Sequence, residues 1–198
     1  KIKSQLEASL EGLRTEANAF YADCVDKSEN EISEWVEINR PFHWSIEFPR
    51  IFKNGGFDVI IGNPPYIARG KYPGDLSELM GYRTKGFVDF YEICFERSMQ
   101  LLHKHGRMSF VVMLSISFSK DFTEIRSVIS ERGGFECWST FAHRPDGLFT
   151  GPGVKNTVVS IGPGVAEQFS SQHNVFTKSS RRWLFENLEF GPIVRQGS

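Results

Sequence analysis

Cysteine is scarce in this chain of 198 residues: Cys24, Cys94 and Cys137 are far apart, odd in number, and form no Cys-x-x-Cys or Cys/His cluster. That pattern excludes a disulfide framework and a structural zinc site, and it fits three reduced thiols in a cytoplasmic protein. No metal is expected. Long apolar runs are absent as well; no stretch approaches the roughly 20 residues that span a bilayer, so no membrane partner is expected. The chain opens on Lys1 with no signal-peptide pattern, which again suits a cytoplasmic location. A strong charge of one sign is also lacking, since the net charge is −1. The balance is uneven, however: residues 1–39 hold four Lys/Arg against nine Asp/Glu, and residues 40–198 hold nineteen against fifteen. A mildly basic body is compatible with phosphate contacts, but most solvated surfaces would pass the same test. What the chain does have is 18 Phe and enough length for one sizeable core.

Ile2, Leu6, Leu10, Leu13, Ala17, Phe20 and Cys24 recur at intervals of three and four, which predicts an amphipathic helix over about residues 3–26. Its apolar stripe is expected to pack on its own domain; a seam for another segment is the alternative. Asp26 to Asn30 is a polar break, and a short helix is predicted over Glu31 to Ile38. Phe57 to Gly62 is apolar on both faces apart from Asp58, as in a central parallel strand. Residues 67–86 read as a long surface loop. Helical spacing then runs from Phe87 to His105, and Met108 to Leu114 is a second strand, which makes a βαβ unit. A helix is predicted over Lys120 to Arg132, ended by Gly133-Gly134. Strands at Phe135–Phe141 and Thr157–Ile161 suit an antiparallel hairpin at the sheet edge, with a Gly/Pro-rich loop from Arg144 to Lys155 between them. His173 to Thr177 is a possible extra strand, and Arg181 to Leu188 a short helix. The sequences 151–154 and 162–165 (both Gly-Pro-Gly-Val) read as turns.

The most telling residues are Asn63-Pro64-Pro65-Tyr66, which end the first strand. Two prolines in a row cannot extend a ladder, because neither has an N–H to donate. The Pro64 carbonyl and the Asn63 side-chain oxygen are then two acceptors beside an aromatic face. Two acceptors can hold both hydrogens of a planar NH₂ group while the Tyr66 ring holds the plane of a base. The plain alternative is a Pro-Pro turn after any buried strand.

This tetrapeptide and its strand resemble motif IV of the amino-methyltransferases that use S-adenosylmethionine. The lead-in Phe42-His43-Trp44-Ser45-Ile46-Glu47-Phe48-Pro49-Arg50-Ile51-Phe52, running into Gly55-Gly56-Phe57-Asp58, is similar to that of the N6-adenine DNA methyltransferases of restriction–modification and phage-defence systems, in particular the single-chain type IIG kind. The likeness covers residues 40–162. It implies an α/β fold: a partial Rossmann-like S-adenosylmethionine-dependent methyltransferase fold, with parallel strands, a terminal antiparallel hairpin and an N-terminal helical segment. The implied layout is a helical segment over 1–39, a partial catalytic domain over 40–165, and an extension over 166–198 leading to an absent target-recognition region.

The resemblance also implies roles. Asn63, Pro64, Pro65 and Tyr66 would be catalytic, with Asn63 Oδ1 and the Pro64 carbonyl aiming the amino nitrogen by position and preorganised dipoles. The partner would be double-stranded DNA with a flipped adenine stacked on Tyr66. Phe149 is the candidate for the opposite ring, or else a core plug. Arg144 and Lys155 flank that loop as phosphate contacts or as solvated charges. Phe87-Val88-Asp89-Phe90-Tyr91 resembles motif V, so Asp89 and Phe90 are candidates for touching S-adenosyl-L-methionine; Asp89 as a polar residue of the first helical turn is the alternative.

The resemblance breaks at the cofactor. Before the first strand the chain holds only Gly12, Gly55 and Gly56, with no Gly-x-Gly turn. Gly162-Pro163-Gly164 lies after the motif and lacks a preceding acidic residue, so it is rejected as a substitute. The chain is therefore expected to need a missing N-terminal half and to be inactive alone. Two rival readings are a protein glutamine-N5 methyltransferase of the release-factor type, which shares Asn-Pro-Pro-Tyr-Ile, and a non-catalytic remnant that binds DNA or a partner.

Overall fold

The apolar spacing of the sequence resolves into six helices and a six-stranded sheet in the computed structural model, which describes residues 2–24, 28–149 and 153–193. Parts of three expectations lie outside the described residues: positions 25–27 at the first helix end and polar break, 150–152 in the Gly/Pro-rich loop and its turn, and 194–198. The chain divides into two units, Lys1–Gly56 and Phe57–Ser198.

The first unit carries α1 (Ile2–Cys24), α2 (Glu29–Asn39), α3 (Trp44–Glu47) and α4 (Pro49–Lys53). Arg14 reaches from α1 to Glu47 of α3 through two parallel hydrogen bonds of 2.7 and 2.8 Å. Those bonds hold the Glu47 carboxyl below its usual range. Tyr21 and Trp35 join α1 to α2 with ring centroids 5.4 Å apart. The predicted apolar stripe does not pack as expected, because Ala22 is the buried residue of α1 while Ile2, Leu6, Leu13 and Phe20 are exposed. The spacing gave the helix correctly; the cover for its stripe is not provided by the described residues.

In the second unit β1 (Phe57–Gly62) pairs in parallel with β2 (Leu102–Met113), joined through a long loop and α5 (Tyr91–Leu101). After β2 come α6 (Thr123–Arg132), β3 (Phe135–Phe141), β4 (Asn156–Gly162), β5 (Gln168–Asn174) and β6 (Phe190–Pro192). The strand order is β1-β2-β4-β3-β5-β6, with β4 antiparallel to both β2 and β3. Gly133 and Gly134, at φ +73° and +90°, turn α6 into β3, and a Cβ on Gly134 would lie 2.0 Å from the Gly162 carbonyl oxygen. The main core packs Tyr91, Phe95 and Met99 of α5 and Ile125 and Ile129 of α6 against Met108, Phe110 and Val112 of β2 and Val159 and Ile161 of β4. No helix among the described residues is long and apolar enough to cross a membrane.

Four expectations change. Among the described residues β1 pairs only with β2, so it is an edge strand, and Val59 and Ile61 stay exposed. An unbroken apolar strand reports two faces fit for burial, not which neighbours are present. The helix predicted from Phe87 to His105 is shorter at both ends. Val88 and Phe90 are engaged in backbone bonds to Arg69 and Ile67, and Leu102 already pairs with Phe57. The hairpin of β3 and β4 is internal rather than at the edge, because β5, starting five residues before the predicted His173, pairs in parallel with β3. The helix predicted over Arg181 to Leu188 is instead two 3₁₀ turns, Arg181–Trp183 and Phe185–Asn187.

Phe110 ties this core to the end of β1. It pairs with Gly62 in the ladder, meets Phe95 edge-on at 5.3 Å, and would lie 2.8 Å from a Cβ placed on Gly62. Phe110→Ala is expected to lower the unfolding free energy by about 3–5 kcal/mol through lost burial and a residual cavity. Chemical denaturation of the two proteins checks this, and a loss below about 1 kcal/mol would show that the core does not converge there.

Candidate active site

Parallel pairing brings the ends of β1 and β2 to one end of the sheet, and antiparallel β4 starts at that same end. The tetrapeptide Asn63–Tyr66 leaves β1 there without regular structure. Asn63 is exposed, Pro64 buried, Pro65 exposed and Tyr66 half-buried. Among the described residues, neither the Asn63 side chain nor the Pro64 carbonyl takes part in a hydrogen bond. Neither acceptor at the strand end is thus spent on an internal hydrogen bond.

Tyr66 is held by its hydroxyl, which donates to the Val111 carbonyl at 3.1 Å and accepts from Asn156 Nδ2 at 3.2 Å. Its ring meets that of Tyr91 at 75° and 5.9 Å, and Tyr91 in turn stacks on Phe122 at 5.7 Å. Burial raises the pKa of the Tyr66 hydroxyl, so it stays a neutral donor.

The backbone just after the motif is fixed by carboxylates. Ile67 N–H donates to Asp89 Oδ1 at 2.9 Å, while Phe90 N–H returns to the Ile67 carbonyl at 2.8 Å. Glu92 Oε1 accepts from the N–H groups of Val88 and Asp89 at 2.7 and 3.1 Å. Glu96 accepts from the N–H of Arg83 and from the N–H and hydroxyl of Thr84 at 2.8–3.0 Å. Residues 67–86 are thus a pinned surface segment with three 3₁₀ turns, Arg69–Lys71, Leu76–Leu79 and Arg83–Gly86. Arg83 adds ion pairs to Glu124 and Glu131 of α6.

The remaining candidates are spread around this centre. Asp89 is 5% exposed with Oδ1 committed to Ile67, which leaves little of it for a ligand. Phe90 is half-buried, stacked on Tyr72 at 4.7 Å and edge-on to Phe87. It is the more accessible of the two donor-side candidates. Phe149 is 48% exposed, whereas its neighbour Leu148 plugs a small core with Phe141, Phe176 and Leu184. Phe149 is therefore no core plug. Arg144 and Lys155 are exposed and form no ion pair among the described residues, and the Lys155 carbonyl accepts from Leu114 N–H at 2.8 Å. No group of His, Cys, Asp and Glu among the described residues can hold a metal.

Sequence reasoning missed Asn156, Glu92 and Glu96. The last two had a signal: with Asp89 they recur at intervals of three and four, placing three acids on one side of a segment that otherwise reads as core. Asn156, ninety residues from Tyr66, had none.

A family model described as Eco57I restriction-modification methylase matches residues 3–144. A putative type II restriction enzyme and methyltransferase of Methanocaldococcus jannaschii is 29% identical over 140 residues, covering 68% of this chain and 11% of that protein. A type II methyltransferase of Thermus thermophilus is 36% identical over 92 residues, covering 41% and 22%. The chain thus spans a small part of the length of these curated relatives. Among solved structures, a DrdV–DNA complex superposes with a TM-score of 0.60 at 18% identity, covering 77% of this chain and 19% of that one. A nuclease-deletion mutant of the type ISP restriction-modification enzyme LlaGI, bound to a DNA substrate mimic, gives 0.59 at 14%, covering 76% and 18%. These likenesses, with a six-stranded sheet of parallel and antiparallel strands, bear out the expected α/β fold.

Burial raises the pKa of both Asp89 and Glu92 above the ordinary carboxylate value. Groups whose folded-state values are raised stabilise the fold in full below the unfolded values, about 4, and that contribution is lost as pH rises through the raised ones. The double variant Asp89→Asn, Glu92→Gln keeps the acceptors but removes the titration. Thermal unfolding across mildly acidic pH is expected to show stability falling with pH in the parent and a flatter dependence in the variant. Half-buried Glu47 and exposed Glu131, both with lowered values, act in the opposite sense at lower pH and are the same in both proteins. Identical slopes would contradict the assignment.

Proposed function

The chain belongs to the Eco57I restriction-modification methylase family, and from that premise we propose that it forms the amino-group pocket of a site-specific DNA methyltransferase acting at adenine N6. The observation that carries the proposal is the pair of acceptors, Asn63 Oδ1 and the Pro64 carbonyl, free of internal hydrogen bonds beside a tethered Tyr66.

The adenine N6 lone pair is delocalised into the ring, so the amine is a weak nucleophile. Asn63 Oδ1 and the Pro64 carbonyl accept its two N–H hydrogens and orient the nitrogen. The rigid Pro64-Pro65 corner fixes those dipoles in advance, so little reorganisation is needed as charge develops. Tyr66 supplies the stacking surface for the extruded base, worth roughly 1–3 kcal/mol. Phe149, exposed on the neighbouring loop, is the candidate for the second ring, and exposed Arg144 and Lys155 are candidates for the DNA backbone.

S-adenosyl-L-methionine, the usual methyl donor of such enzymes, supplies the activated methyl group when bound. Of the described residues, Phe90 and the enclosed Asp89 are the candidates on the donor side, and the glycine-rich part of that site would lie outside these 198 residues. A restriction–modification family supports DNA as substrate over a release-factor glutamine.

In the intact enzyme, Asn63→Ala is expected to lower the rate of methyl transfer to duplex DNA roughly a hundredfold to a thousandfold, by analogy with loss of one preorganised hydrogen-bonding group. Labelled methyl incorporation followed by nucleoside analysis reads both the rate and the position. Methyl groups found on a cytosine instead of adenine N6 would overturn the assignment.

A further inference from the structure

Asn156 is nearly buried, at 4% exposed, and it is the first residue of β4. It pairs with Met113 of β2 on one side and Phe141 of β3 on the other, so its backbone is fixed from both directions. A buried amide in such a position needs a partner. Its Nδ2 donates to Tyr66 Oη at 3.2 Å, and Tyr66 Oη donates to the Val111 carbonyl at 3.1 Å.

The order of donors follows from proton count. The phenol has one proton and the Val111 carbonyl can only accept, so that proton goes to Val111. The Asn156 amide must then present its NH₂ to the phenol; the flipped amide would leave two acceptors competing for one proton. The three groups form a directional chain that pins the far end of the Tyr66 ring to the two strands β2 and β4. The other end of the ring is fixed by the Pro65 corner and by Ile67, whose N–H is held by Asp89 at 2.9 Å.

We propose that Asn156 is a positioning residue for base capture: it acts through the Tyr66 hydroxyl to hold the ring in the plane on which an extruded base stacks. This rests on the reading of Tyr66 given above. A ring held in place before the base arrives removes an ordering cost from the flipped complex. The hydroxyl, which stacking alone does not require, thereby acquires a purpose.

The test uses the intact enzyme and duplex DNA with 2-aminopurine at the target position, whose fluorescence rises when the base leaves the stack. Asn156→Ala and Tyr66→Phe are each expected to lower that rise and to reduce kcat/KM on unmodified DNA by roughly threefold to tenfold, the size of one net hydrogen bond. The double variant is expected to lose no more than either single one, because both remove the same link. Additive losses, or single variants with parental fluorescence and rates, would overturn the proposal. Should Asn156→Ala not fold, Tyr66→Phe, which leaves β4 untouched, decides by the same two readouts. Tyr66→Ala separates positioning of the ring from stacking on it. Strong loss there with unaffected Tyr66→Phe contradicts positioning alone, whereas parental behaviour of Tyr66→Ala contradicts the stacking reading itself.

Discussion

The Tyr66 hydroxyl is the point on which this arrangement depends. Its bonds to the Val111 carbonyl and to Asn156 Nδ2 join the end of one strand to two others. Without them, a tetrapeptide that contains two residues with no N–H would have few ways to be held, since prolines cannot be drawn into a ladder. The hydroxyl thus does for the motif what backbone pairing does for the rest of the sheet. It leaves Asn63 Oδ1 and the Pro64 carbonyl without internal hydrogen bonds while fixing the chain that carries them.

A second set of constraints comes from α5 and from Asp89 just before it. Burying carboxylates is costly unless their oxygens are matched by donors, and here the donors are backbone N–H groups of the segment that follows the motif. Asp89 holds Ile67, Glu92 holds Val88 and Asp89, and Glu96 holds Arg83 and Thr84. The segment, which also buries Leu79 and Phe87 against Ile93, is ordered in this way by a helix that forms the core through Phe95 and Met99. Burial then raises the pKa values of Asp89 and Glu92, so the same geometry that orders the segment makes it sensitive to pH.

Much of this was legible in the sequence where the cause is local. The strand ending at Gly62, the Pro-Pro corner, the α6 segment stopped by Gly133-Gly134, and the strand from Phe135 follow from short-range pattern and turn chemistry. The family resemblance read from Phe42 to Tyr66 agrees with the family match over residues 3–144. What failed was set by distance. Whether β1 lies inside a sheet or at its edge depends on which strands flank it, and an apolar run reports only fitness for burial. The stripe of α1 had the right period and remained exposed for a related reason. Asn156 looked like an ordinary strand residue because its partner lies ninety positions earlier. Glu92 and Glu96 are invisible to an apolar pattern, since their carboxylates are matched by backbone N–H donors rather than by apolar neighbours.

The central claim is that the corner at Asn63 and Pro64 receives an adenine amino group. A crystal structure of the intact enzyme on its cognate duplex tests it most directly. The account predicts an extruded adenine stacked on Tyr66, with N6 about 2.7–3.2 Å from both Asn63 Oδ1 and the Pro64 carbonyl oxygen. An extruded base lodged elsewhere, or a duplex bound with every base stacked and this corner facing away from it, would contradict the account.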